Sequence, residues 1–248
     1  MPLIQISTAT QKDLPELERF YADFAATDPG RKVLPRPHHE MVAAIALGAV
    51  FVARTQCQRD PPRSDRIIGA TIGYYGQCGA LRYVEYGSSV ILPEFRDRAV
   101  FKALSTVRVL THFICNADRA EVQFCRKLIR IGQTPDISHW FGGIYEAWPD
   151  PPEDLRQMHL NEGLPENHEI AYLRIPACSF EARAKDFADI LINRQATLAF
   201  PGPEPVFLFD LKIATDRGAL RRILAAADQD TPLIPHAERR LHQSRSSA

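Results

Sequence analysis

Apolar and polar positions set out a chain of short, well-separated elements. Residues 3–9 alternate as a half-buried strand does, and Thr10, three residues before Asp13, gives a capping-box-like start to a helix. That helix carries Leu14, Leu17, Phe20, Tyr21 and Phe24 at three- and four-residue spacings, which puts them on one face. The Pro- and Arg-rich stretch 28–37 reads as a loop. A shorter helix over 40–47 then leads through Gly48 into an apolar strand at 49–54. The segment 56–66, with Pro61 and Pro62 among many charges, predicts a solvated connection. Strands follow at 67–75 and 81–92, joined by a turn at 76–79 and ended by Pro93.

From 98 to about 114, Val100, Ala103, Leu104, Val107, Leu110 and Phe113 recur with helical period. A further helix is expected from Arg119 to about Ile129, ending near Gly132. The run Trp148-Pro149-Asp150-Pro151-Pro152 interrupts the pattern and suggests a soft boundary. Beyond it the sequence predicts a strand at 169–175, a helix at 180–193, a strand at 206–213 and a helix at 216–227, before a polar, basic tail. The division expected is 1–150, then a C-terminal α/β region at 151–228 that could form a second lobe, then a tail at 229–248.

Composition narrows the classes. The chain has 248 residues, 45% hydrophobic and 24% charged, enough apolar material for one large or two small packed units. Its 30 basic residues balance its 30 acidic ones, which removes any global field for nucleic acid or anionic lipid. No secretory leader and no membrane-length apolar run can be read, so neither a membrane nor a nucleic-acid partner is expected, and the cytoplasm is the expected location. Cys57, Cys78, Cys115, Cys125 and Cys178 lack zinc or redox spacing and read as reduced.

The order strand, helix, helix, three strands, then a helix after Pro-x-x-Arg resembles the Gcn5-related N-acetyltransferase (GNAT) superfamily. The most specific piece is 90–104, Val-Ile-Leu-Pro-Glu-Phe-Arg-Asp-Arg-Ala-Val-Phe-Lys-Ala-Leu. It is similar to that family's acyl-coenzyme A loop, in which a strand ends in Pro, an aromatic and Arg, and a Gly-rich turn opens a helix. Residues 120–132, with Phe124, Lys127 and Leu128, resemble the family's later helix. The resemblance implies a mixed, mainly antiparallel sheet flanked by helices, acetyl-CoA or another acyl-CoA as co-substrate without a metal, and a small-molecule or peptide amine as acceptor.

In such a loop, backbone N–H groups at a positive helix end point at the cofactor's pyrophosphate. The residues so implied are Leu92, Arg96, Asp97, Arg98, Ala99, Val100 and Phe101. Asp97, Ala99 and Phe101 stand where the family favours Gly. Asp97 is a strong N-cap whose carboxylate could take the amides meant for phosphate, while Arg96 and Arg98 could hold pyrophosphate themselves. Glu85 falls where the family often has its base. No Tyr falls where the family has its acid, and Tyr83 and Tyr86 are substitutes by proximity only, Tyr86 being the candidate taken.

Two function classes follow. One is acyl transfer from a thioester, on coenzyme A or a carrier, to an amine. The other is a non-catalytic module for sensing or interaction in which Asp97 has closed the phosphate site. Residues 85–90 also weakly resemble the autoinducer and long-chain N-acyl amino acid synthases, which tolerate a Gly-poor loop. Other features read as structural: His38-His39-Glu40 without a third metal ligand, Cys125 beside Arg126 and Lys127, and the aromatic cluster Trp140-Phe141.

Overall fold

A computed structural model describes residues 3–27, 37–56, 66–96, 99–115, 119–133, 145–164, 166–176, 195–196 and 206–211. Strand β1 (Leu3–Thr8) leads through a short 3-10 turn into α1 (Leu14–Thr27), followed by α2 (His38–Ala46). Three strands come next, β2 (Val50–Gln56), β3 (Ile67–Cys78) and β4 (Leu81–Ile91), then α3 (Val100–Cys115) and β5 (Val122–Arg130). The remainder is β6 (Glu146–Ala147), α4 (Glu153–Leu160), β7 (His168–Arg174), β8 (Gln195–Ala196) and β9 (Val206–Asp210). The nine strands among the described residues form one sheet in the order β6-β7-β5-β4-β3-β2-β1-β9-β8.

The sheet is mixed and mainly antiparallel. β1 to β4 run antiparallel in succession, β5 lies parallel to β4, and β9 lies parallel to β1. A parallel neighbour needs a crossover, and α3 supplies it between β4 and β5. The expected pairing of the strands at 67–75 and 81–92 is present, with the predicted 98–114 helix packed on them. Strands from beyond the Pro-rich run, β7 and β9, join the same sheet as β1 to β4. The helices expected at 180–193 and 216–227, the tail, and Trp140-Phe141 lie outside the described residues.

Two apolar layers cover the sheet. On one face Ile4, Ile6, Phe51, Ile68, Val84 and Tyr86 meet Val100, Leu104, Val107 and Leu110 of α3. On the other, Val50, Val52, Ile67, Ala70, Ile72 and Val90 meet Leu14, Leu17 and Tyr21 of α1 and Met41 and Ile45 of α2. Further along that second face, α4 lays Leu155 over Tyr83, Phe124 and Tyr172. The entry to α1 is held as its sequence implies, with Thr10 donating from its N–H (2.7 Å) and hydroxyl (2.8 Å) to Asp13. Asp13 also pairs with Arg54 at 2.9 Å. Burial raises the Asp13 carboxyl, but the bonds from Thr10 and Arg54 outweigh it and hold the group below its ordinary value. Among the described residues no helix is long and apolar enough to cross a membrane.

One predicted element has the wrong identity. Residues 119–129 do not form a helix; Val122–Arg130 is strand β5. Val122, Cys125, Leu128 and Ile129 fall at three- and four-residue spacings that imitate a helical face. The two neighbours Phe124 (0% exposed) and Cys125 (2%) are instead buried on opposite faces, because β5 is an inner strand covered on both sides. A strand of that kind loses the alternation that marks half-buried strands. The helix that follows β5 in the chain is α4.

Candidate functional site

β4 and β5 stay together only briefly. Their parallel pairing covers Tyr83↔Val122, Val84↔Gln123 and Glu85↔Phe124, yet β4 runs on to Ile91 and β5 to Arg130. On its other edge β5 pairs with β7 from Phe124 to Arg130. The outer edge of β4 beyond Glu85 is therefore without a strand partner among the described residues, an open backbone edge inside the sheet. A bulge sits at the same place: Gly87 faces Ile72 while Val90 faces Ala70, so β4 has one extra residue there. Ser88 takes it up with φ +49°. The extra residue flips the alternation, sending Val90 into the layer under α1 while Ser89 turns to α3.

On the α4 face of this parting lies a charged cluster. Glu85 accepts from Arg126 Nε at 2.6 Å, and Arg126 Nη1 donates to Glu162 at 2.8 Å. His159 Nε2 stands 3.5 Å from the other Glu85 oxygen, an ion-pair approach longer than a good hydrogen bond, and its Nδ1 lies 3.0 Å from the Tyr172 hydroxyl. Both Glu85 and His159 are buried. Burial works against ionisation of Glu85, but His159 and Arg126 prevail and hold its carboxyl below the ordinary value. Tyr172 also borders a cavity of about 430 Å³ lined with Trp148, Arg156, Leu160 and Ile170. A polar path therefore runs from that cavity through Tyr172 and His159 to Glu85.

The α3 face holds a different cluster. Arg108 is 3% exposed; its Nη1 donates to Thr71 (2.7 Å) and Ser89 (2.9 Å), and its Nη2 to the Tyr145 hydroxyl (3.1 Å). Its guanidinium lies 4.7 Å from the centre of the Tyr86 ring. Tyr86 donates to Gln123 Oε1 at 2.7 Å, and burial pushes its hydroxyl well above the ordinary value. Burial likewise raises the Cys125 thiol to about 12, which makes it no nucleophile despite its basic neighbours in sequence.

The predicted phosphate loop is placed in part. Leu92 and Phe101 are half-buried against the α3 layer, and Val100 is fully buried. Exposed Arg96 reaches back to the Ile91 carbonyl at 3.4 Å from Nε. Ala99 adopts φ +53°, the left-handed conformation that Gly enters without cost, so the missing glycine is replaced in shape though not in freedom. Asp97 and Arg98 lie outside the described residues. Glu85 and Tyr86, adjacent in sequence, point to opposite faces of the sheet. His38 pairs with Glu18 at 2.7 Å, and among the described residues no group of three His, Cys, Asp or Glu could hold a metal ion.

Arg126, His159, Glu162, Tyr172 and Arg108 carry these clusters without having been singled out from sequence. Arg108 alone left a trace: it lies four residues after Leu104, a charge at a core phase of α3.

The antiparallel run β1 to β4, the α3 crossover to a parallel β5, and the order β5-β7-β6 beyond it are the mixed, mainly antiparallel arrangement that the resemblance to the Gcn5-related N-acetyltransferases implies. No protein-family model matches the sequence, and no curated protein does. Solved structures similar to it include an N-acetylglutamate synthase from Neisseria gonorrhoeae complexed with coenzyme A and N-acetyl-glutamate, at 13% identity and TM-score 0.46. That match covers 70% of this chain and 35% of the synthase, so the chain spans about a third of it. The NatC complex bound to Gag peptide and coenzyme A is similar at 9% identity and TM-score 0.47, over 70% of this chain and 98% of that one. A GNAT-family acetyltransferase from Staphylococcus aureus Mu50 gives 12% and 0.44, over 69% and 98%. Identities this low assign no substrate.

Proposed function

We propose that this chain transfers an acyl group from an acyl-CoA, or a carrier-bound thioester, to an amine on a small molecule or peptide. The observation that carries the reading is the parting of β4 from β5, which leaves the β4 edge beyond Glu85 without a neighbouring strand among the described residues, beside the start of α3. An extended ligand chain bearing amides can add to such an edge as a strand would, and the donor's pantetheine arm is such a chain. Its phosphates would then fall to Arg96, Asp97 and Arg98, with Leu92, Ala99, Val100 and Phe101 shaping the loop.

The reaction needs a proton removed from the amine and one returned to the departing thiolate. Glu85 is held ionised by Arg126, which makes it a weak proton acceptor by itself. Its better role is to sit against His159, whose imidazole can both accept and donate a proton. Tyr86, buried against Gln123 with its hydroxyl well above the ordinary value, is poorly suited to donate a proton.

The competing reading is a non-catalytic module, and the engagement of Glu85 by Arg126 and His159 favours it. Calorimetry with acetyl-CoA on the wild type, Asp97→Gly and Arg96→Ala separates them. If Asp97 caps the helix and blocks the amides, Asp97→Gly tightens binding; if the arginines hold the phosphates, the wild type binds and Arg96→Ala weakens it. No binding in any of the three removes the cofactor and leaves the fold. With donor bound, Glu85→Gln should lower turnover without changing donor affinity; unchanged turnover removes Glu85 from the reaction.

A further inference from the structure

Arg108 is a buried cation that meets no anion among the described residues. Its partners are the hydroxyls of Thr71, Ser89 and Tyr145 and the face of Tyr86, all neutral. Arg54 and Arg126, the other arginines drawn into the layers, are each paired with two carboxylates, Asp13 and Glu16 for one and Glu85 and Glu162 for the other. An arginine cannot shed its charge to escape burial, and hydroxyl dipoles repay only part of the lost hydration. Nothing near it ionises in compensation: burial keeps the Tyr145 hydroxyl and the Cys125 thiol each up at about 12.

The guanidinium is also short of acceptors. Its Nε–H is buried without one, and Nη2 makes a single bond to Tyr145 for its two hydrogens. Nε and Nη2 share one edge of the guanidinium, and that edge takes a carboxylate through two parallel bonds. Its partners also place it at the strand parting. Thr71 and Ser89 belong to β3 and β4, whereas Tyr145 leads into β6 beyond β5, so the guanidinium bridges the two sides of the strand parting.

We propose that Arg108 receives a carboxylate carried by a ligand bound in the β4–β5 parting. Resting on the acyl-transfer reading, this makes the substrate pair anionic: the carboxylate belongs either to the acyl group of the donor, as in a dicarboxylic monothioester, or to the acceptor. The ligand carboxylate supplies the counter-charge and the acceptor for Nε–H that the described residues lack.

Two matched probe pairs test this on the full chain. Calorimetry compares succinyl-CoA with butyryl-CoA, which differ at the far end of a four-carbon acyl group, and thermal shift compares free succinate with succinamide. A preference of about tenfold or more for the carboxylate member is expected in at least one pair, because a buried polar group strongly rejects a ligand lacking its partner. The preference should vanish in Arg108→Gln and survive in reduced form in Arg108→Lys, which keeps the charge and loses the paired edge. A preference confined to the thioesters assigns the carboxylate to the donor. One seen with free succinate assigns it to a separate ligand, the acceptor. If wild type prefers the carboxylate in neither pair, or the preference persists in Arg108→Gln, the proposal is overturned. Equal binding of both thioesters rejects an anionic donor and leaves acyl transfer standing; binding of neither rejects acyl transfer, and the succinate pair still judges Arg108. Should Arg108→Gln fail to fold, an undiminished preference in Arg108→Lys overturns the paired-edge recognition.

Discussion

Arg126 and Arg108 lie on opposite faces of one sheet, either side of the same strand parting, and differ in what surrounds them. Arg126 stands between Glu85 and Glu162, with His159 completing the group. Arg108 has only hydroxyls and an aromatic face. The first cluster closes its own charge and owes its geometry to the chain alone. The second remains a net positive site, which gives a ligand something to complete. Buried charge therefore means different things on the two faces: an internal brace under α4, and a receiver under α3.

The largest expected effect comes from opening the closed cluster. Arg126→Met leaves Glu85 buried with only His159 beside it, and breaking a buried pair from one side costs about 3 kcal/mol. Urea unfolding of the variant should show a loss of that order. A loss under about 1 kcal/mol would mean that Glu85 is well solvated, and the contrast between the faces would fail.

Acid should act on the same cluster. The folded state holds the Glu85 carboxyl below its ordinary value of 4.5, so its contribution is fully present above that value. As pH falls, the unfolded chain takes up the proton first, and the contribution is lost progressively down through the folded value. Stability measured from ~pH 7 to ~pH 3 should therefore fall less steeply in Glu85→Gln than in the wild type, although the variant is less stable by about 2 kcal/mol at neutral pH. An acid limb identical in both proteins would take Glu85 out of the braced cluster.

How much of this was legible beforehand depends on whether the information is local. β1 to β4, α1 to α3 and the Thr10–Asp13 entry follow from spacing and capping, which neighbouring residues decide. β5 did not, because an inner strand with both faces covered has no alternation, and its apolar spacing matched a helix. The clusters were beyond reach for another reason: Arg126 is 41 residues from Glu85 and comes beside it only through the order of the strands. His159 arrives from a helix after β5, so misreading β5 also hid the element that brings it. Glu85 was legible as a candidate base, but its ion pair was not. Arg108 was legible in position, as a charge on a core-phased helix face, and illegible in consequence, since only the fold reveals that its partners among the described residues are hydroxyls.

The smallest expected effect is the sharpest test of the contrast. Arg108→Met makes the same replacement on the α3 face as Arg126→Met makes under α4. It removes a desolvated charge and keeps most of the apolar stem, and it leaves no carboxylate stranded. The Thr71 and Ser89 hydroxyls already bond each other at 2.8 Å and retain that contact. What is lost are the Nη1 bonds to these two hydroxyls, the Nη2 bond to Tyr145 and the attraction to the Tyr86 face, about 1 kcal/mol for the last. Relief of the buried charge offsets much of this, so the net change in the free protein should stay within about 1 kcal/mol. Urea unfolding of the two methionine variants side by side measures the difference. If Arg108→Met costs as much as Arg126→Met, the guanidinium is a brace like its counterpart, and its hydroxyl cage is sufficient to it. If it costs little, an arginine nearly neutral to folding has been kept in a buried place, and its use lies in what binds there.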